Sequence, residues 1–201
     1  IAWGAGQGSV AIFALTCEYT YNPGSDFQNL ADVETTTVRS NVTYEYVIVG
    51  SDSGVEEAAI EGTNDAPILT VTNLAADEDG ASVIGTPTFV DVDTTNTHSY
   101  TVTPMAAGQG SVAIVALTGE YTYNPGSDFQ SLAAGETTTV SFDVTIEDVN
   151  GDSDTETVTV TIEGTNDAPI LTVTNLAADE DGASVSGTPT FVDVDTTNTH
   201  S

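Results

Sequence analysis

The sequence predicts an all-β chain built as tandem seven-strand β-sandwich repeats of about 102 residues. Three observations predict it. The segment Gly62–Ser99 recurs as Gly164–Ser201 with Ile84 against Ser186 as the one change, and Thr63 and Thr165 set the offset at 102. A period of that size is a whole domain rather than one turn of a solenoid. Val, Ile, Thr, Tyr and Phe alternate with polar residues at period two, as strands with one buried face require. No amphipathic helix of ordinary length interrupts them.

In the central copy the strands fall at 68–73, 82–90, 98–103, 111–117, 120–124, 137–147 and 154–163. The last two are the clearest: Val140, Phe142, Val144 and Ile146 alternate with polar residues, and so do Val158, Val160 and Ile162. Thr118-Gly119 makes a tight turn between the fourth and fifth strands. Ser127–Glu136 is the longest connection and has room for one helical turn. Seven short strands at this spacing fit an immunoglobulin/cadherin-like β-sandwich. The expected domains are residues 1–62, the later part of a preceding repeat; 63–164, a complete repeat with its linker; and 165–201, the beginning of the next.

The first copy departs from the pattern between Arg39 and Ala59. Ser40 stands where Phe142 fills the core, and Glu56 where Val158 points inward. Cys17 replaces Gly119 at a turn position suited to positive φ. Divergence or a different strand pairing would each account for this.

Charge excludes several functions. Thirty-one acidic residues face one basic residue, Arg39, for a formal net charge of −30. Nothing here neutralises phosphates, so neither nucleic acid nor an anionic membrane is a partner. No apolar run is long enough to insert in a membrane. Such a chain repels itself unless it binds counter-ions. With Cys17 as the only cysteine, neither a disulfide framework nor a thiolate metal site is available.

The topology indicates where a cation belongs. Successive turns of a sandwich alternate between its two ends. One end then gathers Asn64 and Asp65 of the entering linker, Asp91 and Asp93, and Asp148, Asn150, Asp152 and Asp154. The other gathers Asp77, Glu78 and Asp79 with Glu163 and the exit pair Asn166 and Asp167. Asp and Asn favour turns anyway, but turn propensity does not explain their convergence at both ends. Calcium takes six to eight hard oxygen ligands, which these residue types supply. Asp148-Val149-Asn150-Gly151-Asp152 also has the look of a calcium turn, without the full loop and its terminal Glu.

One ordered motif string carries a family resemblance: Glu78-Asp79-Gly80, Gly85-Thr86-Pro87, Asp91-Val92-Asp93, Leu132-Ala133-Ala134-Gly135-Glu136-Thr137 and Gly164-Thr165-Asn166-Asp167-Ala168-Pro169. It resembles the VCBS repeat of large bacterial surface and secreted proteins. The resemblance implies a calcium-stabilised, extracellular sandwich in RTX-type adhesins or biofilm proteins. By analogy with cadherin junctions, Glu78, Asn166, Asp167, Asp193 and Asp195 would share Ca2+ at one junction. Asn64, Asp65, Asp91 and Asp93 would share it at another.

The expected function is a calcium-stiffened extender module whose partners are neighbouring repeats, with surface glycans or matrix reached through other domains. Alternatives are a filament subunit assembled by strand complementation between copies, and a carbohydrate-binding module. Catalysis is not expected: no motif frames the Ser, Asp and His residues, and abundant carboxylates make any one pair uninformative. His98 and His200, one per repeat, read as polar strand-end residues rather than zinc ligands. Trp3, Tyr19, Tyr21, Tyr121 and Tyr123 could stack on sugars, but the repeated tyrosines read as alternating in and out of a core. Thr137, Thr138 and Thr139 read as the solvent side of a sheet.

Overall fold

The computed structural model describes residues 6–13, 18–46 and 50–199, and every regular element in them is a strand. The chain forms two compact units: Ile1–Leu69 with Phe89–Ser99 and Ile146–Asp154, and Thr70–Thr88 with Tyr100–Thr145 and Thr155–Ser201. Four strands belong to the first copy: β1 (Ser9–Phe13), β2 (Glu18–Asn22), β3 (Thr35–Tyr46) and β4 (Gly50–Glu61). The central copy holds β5 (Ile68–Thr70), β6 (Leu74–Asp77), β7 (Val83–Gly85), β8 (Thr88–Val90) and β9 (His98–Val102). It continues with β10 (Ser111–Ile114), β11 (Tyr121–Asn124), β12 (Thr137–Asp148) and β13 (Ser153–Glu163). The third copy contributes β14 (Ile170–Thr172) and β15 (Thr190–Val192).

The central copy has a four-stranded sheet of order β6-β13-β12-β9, a three-stranded sheet of order β10-β11-β7, and the pair β5-β8. Its core follows the alternation. Val140, Phe142, Val144 and Ile146 of β12 and Val158, Val160 and Ile162 of β13 are buried, as are Tyr121 and Tyr123 of β11. Each apolar side chain of this size contributes about 1.5–3 kcal/mol on burial. The Tyr121 ring meets Phe142 edge-on at 5.7 Å, and its hydroxyl donates to the Thr72 carbonyl at 2.7 Å. Tyr123 donates to the Gln109 carbonyl at 3.0 Å. Neither ring faces solvent.

Three elements differ from the sequence expectation. The stretch 82–90 is two strands, because Thr86-Pro87 interrupts it and proline has no N–H for a ladder. β7 pairs with β11 and β8 with β5. Leu74–Asp77, read as a turn, is β6, paired parallel with β13. The Ser127–Glu136 connection has no helical turn: backbone bonds from Asp128 to Pro125, Leu132 to Phe129 and Glu136 to Ala133 make a chain of turns.

The first copy repeats that local geometry. Asp26 to Pro23, Leu30 to Phe27 and Glu34 to Ala31 are the same three turns at offset 102. Its long hairpin keeps its register as well. Thr43 faces Ser53 across β3-β4. The equivalent pair Thr145 and Thr155 share a hydroxyl bond of 2.8 Å across β12-β13. A different pairing is therefore not the explanation for Ser40 and Glu56, whose backbones stand directly opposite each other. The side chains of Ser40 and Glu56 lie outside what the structure describes, and so does Cys17. Its counterpart Gly119 has φ +72°, and a Cβ there would come within 2.7 Å of Pro87 and 2.8 Å of the Tyr100 ring.

Val33 holds φ +61° where Gly135 holds +82°. Left-handed backbone costs an L-residue about 1–2 kcal/mol, and a β-branched one is an outlier there. Val33→Gly is expected to raise stability by up to about 1 kcal/mol after the entropic cost of glycine, and Gly135→Val to lower it by about 1–2 kcal/mol. Urea unfolding of the two variants beside the parent checks both signs.

Tyr123 gives a pH prediction. Burial, reinforced by the Asp128 carboxylate, pushes its hydroxyl up to about 12. A raised folded value means that its contribution is complete below the unfolded value of about 10 and is lost as pH climbs toward 12. Melting midpoints of the parent should fall over that window. A Tyr123→Phe variant should show a shallower fall.

Candidate metal centre

In the second unit the chain leaving β13 runs past the turn that follows β6. Glu78 N–H donates to the Glu163 carbonyl at 3.0 Å, which holds the two segments side by side. Glu78 Oε1 accepts from Thr165 N–H at 2.8 Å and from the Thr165 hydroxyl at 3.3 Å. Asp79 accepts from the same hydroxyl at 3.1 Å and from Gln130 at 2.8 Å. Asp167 N–H then donates to Asp195 Oδ2 at 2.9 Å, and Asp195 N–H to Asp193 Oδ1 at 3.0 Å. Asn198 closes the group, donating to Asp195 at 2.9 Å and to Asn166 at 3.2 Å.

The oxygens left over define the site. Glu78 Oε2, Asp167 Oδ2 and Asp195 Oδ1 are buried and have no hydrogen-bond partner among the described residues. Glu78, Asp167 and Asp195 each offer a carboxylate oxygen within 4.8 Å of the others. Glu78 and Asp195 are each only 1% exposed. Native structures seldom leave such atoms unpaired. At an effective dielectric near 20, two charges at this separation repel by about 3–4 kcal/mol. Burial, together with Asp79, Asp195 and Asp193, accordingly raises the Asp167 pKa.

The donor set fits a hard divalent cation. Calcium–oxygen bonds of about 2.3–2.6 Å allow oxygens around one ion to stand up to roughly 5 Å apart, so three oxygens within 4.8 Å of one another can share it. Oxygen-only donors with no Cys or His argue against zinc.

The first unit carries a related group. Asp65 N–H donates to Asp93 Oδ2 at 2.6 Å, and Asp93 N–H to Asp91 Oδ1 at 2.8 Å, repeating Asp167, Asp195 and Asp193. Asp93 is fully buried, and its Oδ1 is the one other unpartnered carboxylate oxygen of this kind among the described residues. Burial, with repulsion from Asp65, Asp91 and Asp148, raises its pKa against a lowering hydrogen bond from Asp65.

Asn64 is the hub of this group. Its Nδ2 donates to Asp148 at 2.7 Å and Asp152 at 2.8 Å, and its Oδ1 accepts from Asn96 and Asn150, both at 2.7 Å. Asp148 Oδ1 also caps the N–H groups of Asn150, Gly151 and Asp152. Burial works against the Asp148 anion, but hydrogen bonds from Asn64 and from those backbone donors outweigh it and lower the pKa.

The structure thus brings together Asn64, Asp65, Asp91, Asp93, Asp148, Asn150 and Asp152 in one unit, and Glu78, Asp79, Asn166, Asp167, Asp193 and Asp195 in the other. Asp77 does not join. It is exposed on β6, because period-two alternation that turns Glu78 inward turns its neighbour outward. Asp154 instead accepts from Leu69 N–H at 2.7 Å, tying β5 to β13. His98 donates to or accepts from Asp91 Oδ2 at 2.7 Å, with its ring 4.4 Å from that of Phe89.

Sequence reasoning missed Asn96, Asn198, Thr165 and Gln130. The two asparagines had a readable signal, since each stands three residues after the second Asp of Asp-x-Asp. Asn64→Ala removes four satisfied hydrogen bonds at once, and the expected loss is about 1–3 kcal/mol in calcium-free buffer. Asn166→Ala, with fewer bonds, should cost less; paired denaturation curves compare them.

The model of the bacterial cadherin-like domain matches residues 64–164, half of the chain. No curated protein matches. Among solved structures, Drosophila N-cadherin EC1-4 aligns at 16% identity and TM-score 0.37, over 68% of this chain and 34% of its own. Mouse cadherin-23 EC22-24 aligns at 18% identity and TM-score 0.44, over 80% and 53%. Human mucin-like protocadherin EC1-2 aligns at 13% identity and TM-score 0.41, over 79% and 84%. The chain spans about a third of the first of these and half of the second. From the family match, this all-β chain belongs to the bacterial cadherin-like domains.

Proposed function

We propose that the chain is an extracellular tandem extender module of a bacterial adhesin or biofilm protein, stiffened by calcium where one repeat meets the next. The carrying observation is the set of three buried, unpartnered oxygens on Glu78, Asp167 and Asp195. Their residues come from three stretches: the turn after β6, the linker, and the turn after β15. A bound calcium ion would supply two positive charges to a group that has none of its own. Glu78, Asp167 and Asp195 would hold it, with Asp79, Asp193 and Asn198 orienting them. In the other unit Asp93 would hold an equivalent ion with Asp65. Asn64, Asp91 and Asp148 act there mainly by tying the surrounding turns together, since their oxygens already accept hydrogen bonds.

Family membership supports an adhesion-type repeat, and the ordered motifs of the VCBS type favour a long surface protein. Among the described residues no helix is long and apolar enough to cross a membrane. The carbohydrate-binding alternative loses Tyr121 and Tyr123 as platforms, because both are buried.

The test is thermal and chemical unfolding of the whole chain in calcium and in EDTA. Extracellular calcium modules bind at about 0.1–1 mM, so 10 mM calcium should add roughly 1.4–2.7 kcal/mol per site. Glu78→Gln should remove the increment due to its own site while leaving the calcium-free protein equally or more stable, because it removes one of the repelling charges. An unchanged calcium response in this variant would remove the site, and no response in the parent would remove the reading.

A further inference from the structure

The tip of the β12-β13 hairpin carries a chemically labile pair of residues. Asn150 is the one asparagine of the chain that glycine follows. Every other asparagine precedes proline, which has no N–H, or a residue whose side chain crowds the nitrogen. Glycine has no Cβ, so its backbone reaches conformations that bring its nitrogen onto the preceding side chain. Asn150 and Gly151 are both exposed, and water therefore reaches the pair. The first copy has Ile48-Val49 at the equivalent places.

The folded turn commits each reacting group to another partner. The Asn150 amide donates to Asn64 Oδ1 at 2.7 Å. Gly151 N–H, whose nitrogen would be the nucleophile, donates to Asp148 Oδ1 at 2.8 Å and to the Asp148 carbonyl at 3.2 Å. Asn150 N–H is held by the same Asp148 oxygen at 2.8 Å. Ring closure needs these bonds released, because the nitrogen must lose its proton and the side chain must turn onto it.

We infer that Asn150 is a deamidation site whose rate the Asn64 hub controls. When the turn opens, water or hydroxide takes the Gly151 amide proton and the nitrogen bonds to the side-chain carbon of Asn150. The bond from that carbon to Nδ2 breaks, ammonia leaves with a proton, and a five-membered imide remains. Water then opens the ring at either carbonyl, giving aspartate or isoaspartate. Nothing is oxidised or reduced.

Both products suit the turn less well. A carboxylate at residue 150 cannot donate to Asn64 Oδ1, and it adds a negative charge beside Asp148 and Asp152. Isoaspartate also lengthens the backbone by one carbon, which displaces the N–H groups that Asp148 Oδ1 caps. Conversion loosens the hub that ties Asn64 to Asp148 and Asp152.

Peptide mapping by mass spectrometry tests this on the whole chain, held in mildly alkaline buffer either folded or unfolded in guanidinium chloride. The unfolded chain is expected to show the amide-to-acid mass gain first at residue 150. The folded chain should convert roughly tenfold more slowly or less, since only open turns react. Asn64→Ala should raise the folded rate roughly fivefold or more by removing the hub. If its melting curve shows that this variant does not fold, Asn96→Ala, which removes a single bond to the same hub, takes its place. Asn150→Asp should melt below the parent. Conversion that begins elsewhere in the unfolded chain overturns the site. A folded chain that converts as fast as the unfolded one, or a hub variant no faster than the parent, overturns the control by Asn64. An Asn150→Asp chain that melts with the parent overturns the loosening.

Discussion

The constraint on which this structure depends is the packing of carboxylates against one another with no cation of the protein's own to separate them. Arg39 is the only basic residue besides two histidines, and it pairs with Glu57 on the exposed face of β3-β4. No guanidinium or ammonium is therefore available to Glu78, Asp167 and Asp195. Backbone N–H groups and Asn amides compensate part of their charge, one oxygen of Glu78 and one of Asp195 at a time. Glu78, Asp167 and Asp195 still each keep one buried oxygen without a partner, and their carboxylates approach within 4.8 Å of one another. A buried anion without a counter-charge either shifts its pKa or takes a cation, and Asp93 and Asp167 both show the first response.

How much of this was legible depended on whether the signal was local. The β12-β13 hairpin was legible because alternation over many residues leaves only one face to bury, and both strands follow the sequence reading to within a residue. β6 was not. Leu74-Ala75-Ala76-Asp77 carries no β-branched residue, and its strand state comes from the edge of β13 that it joins, where tertiary pairing overrides propensity. The division of 82–90 was legible in principle through Pro87. It was lost because the apolar run looked continuous across it. The turns at Phe129–Leu132 and Ala133–Glu136 mimic the spacing of a helix start without its continuing i→i+4 bonds.

The same distinction applies to the site. Asp-x-Asp and the Asn-Asp linker are contiguous, so their chemistry reads directly from the chain. Glu78 and Asp195 are more than a hundred residues apart, and only the repeat made their meeting predictable: the linker that follows one domain precedes the next. Asp77 shows the limit of that reading. Three consecutive acids look equivalent in sequence, but strand alternation near β6 separates the one turned inward from its exposed neighbour. Asn96 and Asn198 escaped because they stand outside the contiguous Asn-Asp and Asp-x-Asp motifs, yet they bridge the linker to the Asp-x-Asp turn.

The first copy shows which parts of the pattern the backbone needs. Ser40 and Glu56 replace two core residues, yet the register of β3 on β4 matches that of β12 on β13, and the three turns before β3 keep their hydrogen bonds. Gly62 N–H donates to Glu34 at 2.9 Å as Gly164 N–H donates to Glu136 at 2.8 Å. These bonds lie at the linker end of the hairpin, away from the substituted positions. They fix where Asn64 and Asp65 leave the strand. A core substitution weakens one sandwich, but a shift of the linker by one residue would turn Asp65 away from Asp93 and disperse the hydrogen-bonded group around them.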